Sequence, residues 1–86
     1  MISQLASSAL NPLLRRPSVQ QLTGKSRVTL YRDMKKGLLT NSVQIGGNRV
    51  AWPQNEIIAI NQARISGKSD NEIKQLVKEL HAARVA

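Results

Sequence analysis

Cysteine is absent from this 86-residue chain. That excludes a disulfide framework and any thiolate metal site. The one histidine, His81, cannot assemble a metal site alone. Aromatic side chains are nearly missing as well, with Trp52, Tyr31 and no phenylalanine. Recognition of unpaired RNA bases relies on stacking rings, so that partner is disfavoured. Only five acidic residues occur, and they are scattered, which argues against paired acid–base catalysis. No apolar run approaches the roughly 18 residues of a membrane span. The N-terminus lacks a positive region ahead of an apolar core, so a secretory signal is not expected and a cytoplasmic location is. A phosphate-cradling loop is also missing. Gly24-Lys25-Ser26 has the ending of one, but Val19 stands where the upstream glycine belongs, and no strand precedes it. The expectation is a binding protein, not an enzyme, with no cofactor and no metal.

What is abundant is positive charge. Thirteen Lys and Arg give a net charge of +8. Residues 15–49 carry eight of these cations against Asp33 alone, whereas residues 50–86 carry five cations against four acids. A concentrated positive field favours a polyanionic partner, although a charge run can also be only a solvated face. The length suits one small domain with a modest core.

The most informative stretch is Leu22 to Leu39. Ser26 is a good N-cap, because its hydroxyl can accept a first-turn N–H. Gly37 can take the left-handed conformation that ends a helix. Lys35 and Lys36 sit in the last turn, where cations suit the helix dipole. On a helical wheel with Leu30 at zero, Met34 falls at about 40° and Gly37 at about 340°, which makes a core side. Opposite lie Lys35, Val28, Arg32 and Lys36, at about 140° to 240°. Arg27, Tyr31 and Thr29 flank the two faces. This front mixes arginine, a hydroxyl and a small apolar group among cations, a combination suited to base edges in a major groove.

Ahead of it, Ser18-Val19-Gln20-Gln21 reads as a capping box that opens a short helix. Val19 and Leu22 share the face expected to back the cationic helix. Thr23-Gly24 ends this first helix in a tight turn. Two helices joined by a short glycine turn make a helix-turn-helix whose second member enters a groove.

Val43-Gln44-Ile45 and Val50-Ala51-Trp52 alternate around Gly46-Gly47-Asn48, which predicts a hairpin. A hairpin beside a helix-turn-helix is a wing, with Arg49 near its tip for a phosphate or the minor groove. Trp52 reads as a core anchor. A helix is expected from Gln54 to Ile65 after Pro53, with Ile57, Ile58, Ile60 and Ile65 as its apolar side and Gly67 as its stop. Ser69 and Glu72 form a second capping box. The stripe Ile73, Leu76, Val77 and Leu80 either docks on the same core or pairs with a partner, such as a second copy. Residues 82–86 are expected to fray.

The organisation expected is a flexible tail over 1–12, a winged helix-turn-helix DNA-binding domain over 13–65 and an amphipathic C-terminal helix within 66–86. The fold class is mainly α with a small β-hairpin. An interaction module built on the C-terminal stripe, with incidental nucleic-acid affinity, is the alternative.

Several runs together resemble the AlpA family of phage regulatory proteins. They are Leu13-Leu14-Arg15-Arg16-Pro17-Ser18-Val19, Leu22-Thr23-Gly24-Lys25-Ser26-Arg27-Val28-Thr29-Leu30-Tyr31-Arg32, and Ile45-Gly46-Gly47-Asn48-Arg49-Val50-Ala51-Trp52. The likeness covers about residues 13–65. One departure is Leu39-Thr40-Asn41, where the family usually carries a proline. The resemblance implies a MerR-like or excisionase-like winged helix-turn-helix. It implies a regulator of a prophage or genomic island that binds double-stranded DNA. Such a protein activates an integrase gene or acts as a recombination directionality factor. An integrase, or a second copy on DNA, is the further partner that the C-terminal stripe would take. The resemblance implies DNA binding by the helix from Ser26 and by the wing around Arg49. With the wheel above, the residues expected to contact DNA are Lys25, Ser26, Arg27, Val28, Thr29, Tyr31, Arg32, Lys35 and Lys36, with Arg49 acting from the wing.

Overall fold

The computed structural model describes residues 11–84. Most of the expected tail, and Val85 and Ala86, therefore fall outside the described residues. The chain begins with β1 (Leu13–Arg15) and runs directly into α1 (Arg16–Thr23). Next come α2 (Arg27–Lys36), β2 (Val43–Gly46), β3 (Arg49–Pro53), α3 (Gln54–Ile65) and α4 (Asp70–Ala83). The three strands form one antiparallel sheet in the order β1-β3-β2. Mainly helical, with a small sheet and a hairpin, this is the winged helix-turn-helix class that the sequence predicts.

Strand β1 is an addition to that expectation. Leu14 pairs with Trp52 across the sheet, and Arg15 with Ala51. Three residues are too few to display strand alternation, so the sequence pattern gives no signal for it. The wing itself forms as expected, with an irregularity in register between Gln44 and Gly46.

The core gathers around Trp52, which is fully buried with Val19, Leu30, Leu38, Leu39, Ile57, Ile60, Ile73 and Val77 packed about it. The indole cannot be buried without a partner for its N–H. Trp52 Nε1 donates to the Thr40 carbonyl at 2.9 Å. This bond fixes the linker between α2 and the wing.

Four local expectations need correction. Helix α1 starts at Arg16, not after Ser18, so the Ser18/Gln21 capping box does not form. Pro17 lies in the first turn, where its fixed φ prepares the helix, and Arg15 occupies the N-cap with no side-chain bond. Leu22 does not back the cationic helix, because it is 53 % exposed. The narrow contact of so short a helix buries Val19 alone. On α3, Ile58 and Ile65 are exposed, the latter at 84 %. They lie about 100° and 80° from Ile57, on the side away from Ile60 and Ala63, which carry the packing. Finally, in the segment expected to fray, α4 runs to Ala83 and Arg84 is bonded to the body of the protein. Arg84 makes three hydrogen bonds there.

The stripe on α4 docks on the same core. Ile73 and Val77 are buried, and Leu76 and Leu80 pack at the margin. The Ser69/Glu72 capping box that opens this helix is complete. Among the described residues, no helix is long and apolar enough to cross a membrane.

Candidate nucleic-acid interface

Helix α2 is built as its sequence demands. Ser26 caps it, its hydroxyl accepting from the Thr29 N–H at 3.2 Å. At the other end, Gly37 has φ 78°. Its N–H donates to Met34 O, and the Leu38 N–H donates to Asp33 O. This pair of bonds is a Schellman stop, and only glycine takes its left-handed position without strain. Leu38 then turns inward and is buried. The turn before α2 is made the same way. Gly24, at φ 71°, donates to Gln20 O.

The helix is anchored from behind by Leu30, which is fully buried, and by Met34 at the core margin. Its front is open. Arg27, Val28, Arg32, Lys35 and Lys36 are all exposed. Val28, at 67 % exposure, is an apolar group presented to solvent between cations. Arg27 lies over the Tyr31 ring, 5.8 Å from its centroid, so one turn of the helix holds this guanidinium in place. Thr29 is half-buried, and Ser26 donates to its hydroxyl at 3.0 Å. Arg49 is exposed at the first position of β3, beside the turn of the wing.

Lys25 stands apart from this group. Its ammonium is bonded to the Asp33 carboxylate, and the side chain is mostly covered. Asp33 is buried on the rear side of α2. In the sequence, the signal of this pair is a lone acid inside a run of cations, eight residues from Lys25. The pair ties the turn to the helix it precedes.

The structure also brings together residues that the sequence kept apart. The end of α2 and one flank of α4 form a groove lined by Lys35, Lys36, Lys74, Lys78 and His81, among others. His81 Nε2 accepts from the Asn41 N–H at 2.9 Å, and Arg84 donates to the Asn41 carbonyl at 2.7 Å. The linker from α2 to the wing is thus held by the last turn of α4. Among the described residues, no group of three or more His, Asp or Glu side chains is arranged to hold a metal.

Comparison with known proteins places most of this region in one family. The family described as "Prophage CP4-57 regulatory protein (AlpA)" matches residues 12–64. The "Uncharacterized protein ORF88" of Enterobacteria phage P4 is 42 % identical over 55 residues, covering 64 % of this chain. The match spans 62 % of that relative's length. No solved structure matches significantly. The matched region contains both helices of the helix-turn-helix, the wing and nearly all of α3, and it accounts for more than half of the sequence. The chain belongs to the AlpA family of prophage regulatory proteins.

Proposed function

We propose that this protein is a sequence-specific double-stranded DNA-binding regulator of a prophage or genomic island. The observation that carries the reading is the two-sided construction of α2. Leu30 fixes the helix from behind, while Arg32, Val28, Lys35 and Lys36 stand open in front. A helix so presented fits a major groove. Arg32 and Arg27 would read guanine edges, and Val28 would meet a thymine methyl. Ser26, Thr29 and Tyr31 would hold neighbouring polar positions, while Lys35, Lys36 and Arg49 would neutralise phosphates. Lys25 is excluded from the direct contacts in this scheme because Asp33 occupies its charge.

The test is Arg32→Ala on a duplex selected from a random pool by the wild-type chain. Specific binding should weaken by about 1–3 kcal/mol and base preference should relax at the matching position. Unchanged affinity and footprint would remove α2 from the role of reader. Lys36→Ala should instead weaken all sequences alike and flatten the salt dependence.

Membership of a prophage regulatory family supports two regulatory outputs. Activation of an integrase gene and service as a recombination directionality factor both use this DNA-binding chemistry, and differ in where the site lies. Circularly permuted fragments separate them by reporting a bend. Equal mobility of all fragments in the complex would count against the architectural role. The place of action would be the cytoplasm, at the nucleoid. The competing reading, a protein-interaction module built on the α4 stripe, loses its surface because Ile73 and Val77 are spent on the core.

A further inference from the structure

Helix α4 is polarised across its width. Lys74 and Lys78 are four residues apart and share one flank. Glu72 and Glu79 lie on the other, beside Ala63 of α3. The lysine flank faces the C-terminal end of α2, where Gly37 approaches the Lys74 side chain. The groove between them collects Lys35, Lys36, Lys74 and Lys78, with His81 at one end, and no carboxylate lines it. Among the described residues, none of these four lysines takes part in an ion pair. A merely solubilising helix would intersperse its charges. Here two of the three acids on the same helix are turned away from the groove that the four lysines line, and the third, Asp70, is bonded to Arg64.

A groove lined by lysines that take part in no ion pair favours a partner with regularly spaced negative charge. The groove is continuous with the front of α2 through Lys35 and Lys36. We propose that Lys74 and Lys78 grip the phosphate backbone beside the groove that α2 enters, extending the DNA interface onto α4. This helix lies beyond residues 12–64, where the family match ends, so the contact is an addition to the winged helix-turn-helix. The inference rests on the DNA-binding reading above. The linker bonds from His81 and Arg84 to Asn41 serve it, because they hold α4 in fixed register with the segment leaving α2.

The experiment uses the full chain and a fluorescein-labelled duplex selected from a random pool by the wild-type protein. Affinity is measured by anisotropy across a salt series, with hydroxyl-radical footprints alongside. Lys74→Gln/Lys78→Gln should reduce the slope of log K against log salt by about 1.8, the value for two lost phosphate contacts. Protection should shrink at one edge of the footprint while its centre persists. Lys74→Arg/Lys78→Arg should restore both, and Glu72→Gln/Glu79→Gln should not lower the slope. Both lysines are exposed, so thermal unfolding should be unaltered. An unchanged slope and footprint in the glutamine variant would overturn the proposal and leave DNA binding by α2 intact. Failure of the wild-type chain to enrich or bind any duplex would overturn the DNA-binding reading, and this inference with it.

Discussion

Arg84 grips both carboxylate oxygens of Glu56, with Nε 2.7 Å from Oε2 and Nη2 2.6 Å from Oε1. The contact joins the end of α4 to the first turn of α3. Glu56 is nearly sealed, its side chain 3 % exposed, while Arg84 is 25 % exposed. A buried ion pair of this kind is weak evidence of net stabilisation, but removing one partner is costly. Arg84→Ala strands a carboxylate inside the protein, so it should lower unfolding stability by about 3 kcal/mol. Arg84→Met/Glu56→Met should recover most of that loss. Urea denaturation decides the matter. A single variant within about 0.5 kcal/mol of wild type, the range of an ordinary surface change, would make the pair incidental.

Lys25 and Asp33 give a contrast between two lysines. Asp33 is the only acid among residues 15–49, and it is spent on Lys25 behind the reading face. Lys25→Ala should therefore act on folding. It should cost about 1–3 kcal/mol, because the buried carboxylate loses its charged donor. The salt slope of DNA binding should change little. Lys36→Ala should show the reverse pattern, with stability near wild type and a shallower slope. Equal slopes lost in both variants would return Lys25 to the phosphate-contacting group.

Thr40 offers a stabilising change. Its carbonyl accepts from Trp52, but its hydroxyl oxygen is buried with no hydrogen-bond partner among the described residues. Replacing a buried unpaired polar group by an apolar one of similar shape is neutral or favourable. Thr40→Val should thus raise stability by up to about 1 kcal/mol, seen as a higher midpoint in thermal unfolding. Trp52→Phe should do the opposite, since it removes volume from the centre of the core and leaves the Thr40 carbonyl without its donor. A drop in midpoint for Thr40→Val would show that its hydroxyl does useful bonding.

The sequence carried most of α2 because its signals are local. Ser26, Gly37 and the wheel position of Leu30 act within a few residues of one another. The bounds of α3 and the capping box of α4 were readable for the same reason. Strand β1 was not, since its only pattern is its partner, β3, some 38 positions away at Trp52 opposite Leu14. Nor could Ile57 and Ile58 be ranked by hydrophobicity. Which isoleucine is buried depends on where α1 and α4 lie against α3, a tertiary fact. The basic groove was hidden by arithmetic: residues 50–86 nearly balance in charge, and only the wheel of α4 and its docking angle separate Lys74 and Lys78 from Glu72 and Glu79.

The capping box on α4 makes a prediction about acid. The Ser69 backbone N–H donates to Glu72 Oε1 at 2.9 Å, and the Glu72 N–H donates to the Ser69 hydroxyl at 3.2 Å. Bonds to Ser69, from its backbone first and its side chain second, hold the Glu72 carboxyl below its ordinary value of 4.5, with a smaller contribution from Lys68. The folded state therefore binds this proton less readily than the unfolded chain. Its contribution to stability is fully present above the ordinary carboxylate range, and is lost as pH falls through the depressed folded value. Glu72→Gln cannot titrate, so the variant should be less stable than wild type at neutral pH. The difference should close as the pH drops below about 4.5, while the other carboxylates titrate alike in both proteins. Thermal midpoints of the pair, measured from pH 7 down to pH 3, test this. A gap that stays constant across that range would mean the cap works through geometry alone, with no advantage to the charged form.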